Sequence, residues 1–179
     1  MTVDKDKKNI NEYLEKVGVN KQPTLEEFKE ATAAAIKDRG RIFYFVWKTI
    51  QELHPDIDAD EIMNEASRKF GNFTGSKYKN VNTAKDAMTQ FSSKTGILTF
   101  DQEFTEFNDG RAAKKVYECP HISAFKELGC SDEEIEKLCD MLNKGDFAQF
   151  TSHPNVKLSW PSYLSRGEKY CEAVFTKVK

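Results

Sequence analysis

The sequence predicts an α+β fold: several N-terminal helices, one of them long and central, packed on a small antiparallel sheet of two hairpins with helices inserted between them. Three observations lead there. Up to about residue 95, apolar residues recur at helical spacing behind capping boxes; after Gly96 the pattern alternates as in strands; and capped helical stretches interrupt those strands. At 179 residues the chain is read as one domain over 1–179, with a helical part about 7–95 and a sheet-containing part about 96–179.

A first amphipathic helix is expected from about Lys7 to Lys16, with Ile10, Tyr13 and Leu14 on one face and an end near Gly18. Thr24-Leu25-Glu26-Glu27 is a capping box that opens the long helix, which His54-Pro55 stops after about Leu53. Within it Ile42-Phe43-Tyr44-Phe45-Val46-Trp47 is apolar on every side. It is read as a buried helix segment because Ala33-Ala34-Ala35 leads into it and no turn signal interrupts. Asp58 caps a further helix through about Phe70, Gly71-Asn72-Phe73-Thr74-Gly75 is read as a loop, and Thr83 to Ser92 gives one more helix.

Leu98, Phe100, Gln102 and Phe104 then share one face of an extended segment. Asn108-Asp109-Gly110 supplies a turn, and Ala112 to Glu118 returns antiparallel. Ser131-Asp132-Glu133-Glu134 caps a helix whose apolar stripe is Ile135, Leu138, Cys139 and Leu142. Val156 to Leu164 and Lys169 to Val178 form a second hairpin around Ser165-Arg166-Gly167-Glu168, and Pro161 requires an edge position or a bulge. Helices should cover one sheet face.

A net charge of −2 with both signs interspersed offers no positive field for nucleic acid or an anionic membrane. The first residues lack a signal-peptide core and no apolar run is long enough to span a bilayer, so a cytoplasmic location is expected. Its four cysteines are then expected as reduced thiols. The partners expected are a small-molecule substrate or ligand and at most a second copy of the chain.

Cys119, at the mouth of the helix opened by Pro120, is either a strand-end residue or a thiolate favoured by the helix N-terminus, and is expected to react ahead of the other thiols. Cys139 is a packed thiol by spacing. Cys171 faces the core with Ala173 and Phe175 and is read as structural or functional, while Cys130 lies in an exposed loop. Glu168 is a general acid if buried and solvated if the turn is open. Arg39, among Ala35, Ile42, Phe43 and Val46, is either paired at the bundle edge or offered to an anionic ligand. His54 and His153 precede prolines and read as surface turn residues. Cys119, His121, Cys139 and Cys171 are a conceivable metal set, but without a close C-x-x-C pair no metal and no cofactor is expected.

Cys119-Pro120 entering a helix, a helix pair ending in Leu138-Cys139-Asp140 and a closing Gly167-x-x-x-Cys171 strand together resemble the L-2-amino-thiazoline-4-carboxylic acid hydrolase family over about Val116 to Phe175. The likeness to the 4-vinyl reductase type of small-molecule-binding domain is fainter. The resemblance implies a hydrolase that opens a cyclic amidine or related small carboxylate to a carbamoyl-cysteine type of product. Cys119 or Cys171 would attack or activate water, Glu168 or His121 would donate a proton, Arg39 would hold the carboxylate and Cys139 would contact substrate. Asn143-Lys144-Gly145-Asp146 departs from the family pattern, leaving Asp140 or Asp146 as the acidic counterpart, and Trp160-Pro161 replaces a more polar strand. The alternative functions are a non-catalytic small-molecule or metal-binding sensor domain and a helical interaction protein with core cysteines.

Overall fold

The computed structural model describes residues 2–18 and 21–178, the chain before Ile10 by its backbone alone. Helix α1 (Thr2–Val17) starts earlier than the apolar spacing suggests. Helix α2 (Leu25–Leu53) begins at the expected capping box: the Glu27 amide donates to Thr24 Oγ1 at 3.2 Å and the Thr24 amide to Glu27 Oε2 at 2.7 Å. It ends at His54, whose amide donates to the Ile50 carbonyl.

The apolar run on α2 is not buried all round. Trp47 is buried, whereas Ile42 is 64% exposed and Val46 45%, because this face of α2 borders an open cavity rather than another packed element.

Helix α3 (Ala59–Gly75) continues through the segment expected to be a loop. Its glycines let the helix lie against α7 (Asp132–Ala148): a Cβ on Gly71 would stand 2.1 Å from the Gly145 carbonyl oxygen, and one on Gly75 2.0 Å from that of Gln149. Here Gly is a packing residue and not a turn signal.

Helix α4 (Ala84–Phe91) is opened by the Thr83–Asp86 capping box. A short helix, α5 (Lys94–Thr99), takes up Leu98, which had been expected in a strand, because Ser93 Oγ accepts the Gly96 amide and nucleates a turn. Extended structure begins only at Gln102.

Strands β1 (Gln102–Phe107) and β2 (Arg111–Val116) form the first hairpin, and β3 (Val156–Ser162) and β4 (Cys171–Lys177) the second. The sheet order is β1-β2-β4-β3, antiparallel throughout. Helix α6 (Pro120–Glu127) and α7, the latter behind the Ser131–Glu134 capping box, lie between the hairpins in sequence. Pro161 falls in the register shift of edge strand β3, and Gly167 adopts φ +79° where the second hairpin turns.

Register fixes the faces. Val116 pairs with Cys171, Lys114 with Ala173 and Ala112 with Phe175, so these side chains share one side of the sheet. That side and α4 build one core around Ala112, Ala173, Phe175, Leu158 and Met88. A second core joins Trp47, Met63, Phe125, Ile135 and Leu138 of α2, α3, α6 and α7. Among the described residues no helix is long and apolar enough to cross a membrane.

Candidate active site

Between the two cores lies a cavity of about 720 Å³ whose walls come from α2, α3, α6, α7 and the inner face of β2 and β4. Three of the four thiols line it. Cys119 is the N-cap of α6, Cys139 comes from α7, and Cys171 opens β4 across from Val116.

All three thiols are held protonated. Burial pushes Cys171 up to about 11, although the Leu164 amide donates to its Sγ at 3.1 Å and pulls the other way. Burial raises Cys139 further, reinforced by Cys119 and Cys171 and opposed by the Ser165 hydroxyl. Cys119 was expected to be acidified at its helix entrance. The amides of Ile122 and His121 and the charge of Arg39 do favour its anion, but burial outweighs them and the thiol titrates above its ordinary value.

The acidic group of the cavity is Asp146, two turns beyond Cys139 on α7. Burial raises it to about 7, against the pull of Lys114, Arg39 and a Gln149 Nε2 donor at 3.2 Å. Gln149 is itself pinned by the Tyr78 hydroxyl, which donates to its Oε1. Asp140 lies outside the cavity wall, where Arg166 Nη2 holds both its oxygens at 2.9 and 3.0 Å. The structure thus separates the two candidate aspartates.

Lys114 escaped the reading of the sequence. It is 2% exposed, lines the cavity, donates to Ser92 Oγ at 2.9 Å and lies 4.6 Å from the Phe91 ring centroid. Burial lowers it to about 8, with Asp146 pulling it back up. The available signal was a lysine in step with Ala112 and Val116, on the side of β2 that alternation assigns to the core.

Arg39 and His121 meet at the cavity wall. Arg39 Nε and Nη2 lie 3.2 and 2.9 Å from His121 Nε2. Burial, then Arg39, lowers His121 to about 3, so the ring is neutral and its Nε2 accepts; in this arrangement it positions Arg39 and has no Nε2 proton to give. Glu168 is not brought to the site: it follows Gly167 on the exposed side of the turn.

Cys119, His121, Cys139 and Cys171 do not form a ligand cluster. Among the described residues no group of three or more His, Cys, Asp or Glu is arranged to hold a metal. Cys130 is half-buried against the second core rather than in an exposed loop. His153, expected at the surface, stacks on Tyr78 with Nε2 3.3 Å from the Gly75 carbonyl oxygen, whereas His54 is exposed. Gln102 Oε1 and Trp160 Nε1 are buried without a partner, and both residues line the cavity.

Fold and site together define an α+β protein with a thiol-lined, acid- and base-bearing cavity between a helical bundle and a four-stranded sheet. The chain belongs to the L-2-amino-thiazoline-4-carboxylic acid hydrolase family, whose profile matches residues 36–175. No curated protein matches it. Among solved structures it is similar to a trafficking protein particle complex subunit 3 from Naegleria fowleri, crystallised covalently bound to palmitic acid. The TM-score is 0.50 at 8% identity, over 79% of this chain and 96% of that one. At that identity the likeness concerns the fold alone.

Proposed function

We propose that the chain is a hydrolase that opens a cyclic amidine carboxylate of the 2-amino-thiazoline-4-carboxylate type in the cytoplasm. The observation that carries this reading is the meeting of Cys119, Cys139 and Cys171 with Asp146, a carboxyl poised at about 7, on one cavity wall. Family membership supports the substrate class.

In the reaction, water adds across the ring C=N bond. The carbon–sulfur bond breaks, the ring sulfur leaves as a thiol, and the amidine carbon becomes a urea carbonyl. Ionised Asp146 accepts the proton of the attacking Cys119 thiol or of water and returns it to the departing sulfur. With Cys119 as nucleophile, its sulfur displaces the ring sulfur to leave an S-linked isothiourea; water then adds to that carbon, the bond to Cys119 breaks with return of its proton, and the carbon stays on the product as the urea carbonyl. Cys171, which lines the same cavity, is the alternative nucleophile, and Cys139 contacts the substrate ring.

Incubating the reduced protein with 2-amino-thiazoline-4-carboxylate should yield a product heavier by one water with one new free thiol, read by mass spectrometry and thiol titration. Loss of turnover in Cys119→Ser with retention in Cys130→Ser is expected; no turnover in the wild type removes the reaction.

A second reading is favoured by one observation. The cavity is far larger than a single five-membered ring requires and falls in the range of about 300–1,000 Å³ usual for larger ligands. Ile42, Val46, Ile62 and Phe70 stand exposed around it. In that reading the chain is a non-catalytic binding module for a small molecule with an apolar tail, and the structural neighbour's covalently bound palmitic acid is the analogy. Saturable displacement of a fluorescent fatty acid, without turnover of the thiazoline, is its signature.

A further inference from the structure

Strand β2 places a lysine where its sheet face calls for an apolar residue, between Ala112 and Val116 and opposite Ala173. Lys114 is the largest fully buried side chain of the molecule's described part. Its ammonium carries three N–H donors, of which the Ser92 hydroxyl takes one, and the Phe91 ring covers a side. No carboxylate of the described residues forms an ion pair with it; Asp146 acts on it only from farther away.

Such a cation does not stabilise the fold, since an apolar side chain of similar length would fill the same space without the desolvation cost. The other cation of the cavity is differently placed: Arg39 is exposed, and two of its nitrogens are already directed at His121. Lys114 alone is both buried and short of a counter-ion.

We infer that Lys114 is the charge partner of the ligand, receiving a carboxylate group against the sheet wall, and that the specificity of the cavity for an anionic ligand resides there rather than in Arg39. This rests on the reading of the cavity as the ligand site. A carboxylate on Lys114 takes the unused ammonium donors, while the unpartnered Trp160 Nε1 on the same wall offers a further donor to the bound molecule.

The test uses thiazolidine-4-carboxylate and its primary carboxamide, neither of which has a C=N bond to hydrolyse. Calorimetric binding to the full chain should favour the carboxylate by about tenfold or more. Lys114→Met should abolish that preference and Arg39→Gln should keep it. A preference that survives in Lys114→Met, that disappears in Arg39→Gln alone, or that is missing from the wild type because neither probe binds or both bind equally, overturns the inference. Where the methionine variant does not melt cooperatively, Lys114→Gln takes its place. Because the probes report binding alone, the preference can hold while the thiazoline is not turned over, which would sink the reaction and leave the anion site; turnover without the preference would do the reverse.

Discussion

Two faces of helix α7 obey opposite rules. Toward α3, the Gly145 backbone meets Gly71 so closely that a Cβ on Gly71 would stand 2.1 Å from the Gly145 carbonyl oxygen. Toward the sheet, the same helix presents Cys139 and Asp146 to a cavity of about 720 Å³. Where the fold needs contact the chain deletes side chains, and where it leaves a gap it installs groups that are costly to bury. On the proposed function the gap is a built site, since interiors otherwise leave few voids larger than a water molecule.

The largest effect expected from breaking this contrast is on the packed side. Gly71→Ala should destabilise the fold by about 3 kcal/mol, because the new methyl group meets backbone atoms that cannot rotate away. Chemical denaturation checks it. A change under about 1 kcal/mol would mean that α3 and α7 are free to separate.

On the cavity side the signs reverse for stability and not for activity. Asp146→Asn should lower turnover of the thiazoline by about a hundredfold while raising the melting temperature at pH 8. The gain grows as pH rises from about 4 and is complete above about 7, since the unfolded carboxyl ionises first and only the folded one resists. Lys114→Met should also stabilise the free protein. Its gain is complete below about pH 8 and fades toward the ordinary lysine range near 10.5, where the wild-type amine is neutral in both states. Melting curves over pH 4 to 10 separate the two.

A smaller, sharper effect concerns the rate profile. Asp146 must be ionised to act as a base and Lys114 protonated to hold a carboxylate, so kcat/KM should rise through about pH 7 and fall through about pH 8. A profile flat across that range would detach both groups from the reaction.

Much of this was legible in the sequence, for physical reasons. The capping boxes at Thr24 and Ser131 and the cap at Asp58 each carry their own hydrogen-bond chemistry, so these helix starts could be read locally. The hairpin at Asn108-Asp109-Gly110 and the bulge at Pro161 follow equally from local backbone limits. Apart from α5, which the local Ser93 cap sets, what failed depends on partners distant in sequence. Gly71 and Gly75 read as a loop until α7 lies against them, and the run at Ile42 reads as buried until the wall it faces turns out to be a cavity. At the site, Cys119, Cys139 and Cys171 were visible as motifs. Lys114 and the choice of Asp146 over Asp140 required strand register and the Arg166 ion pair. The expected acidity of Cys119 failed because a helix entrance is readable and the depth of burial is not.

The central claim is that thiols, Asp146 and Lys114 form one ligand-binding reaction site, and thiol protection tests it most directly. The native protein is treated with limiting iodoacetamide near neutral pH, with and without saturating thiazolidine-4-carboxylate, which releases no thiol, and the modified peptides are mapped. The account predicts that the ligand slows labelling of Cys119 and Cys171 several-fold and leaves Cys130, outside the cavity, unchanged. Equal labelling of Cys119 and Cys171 with and without the ligand would contradict it.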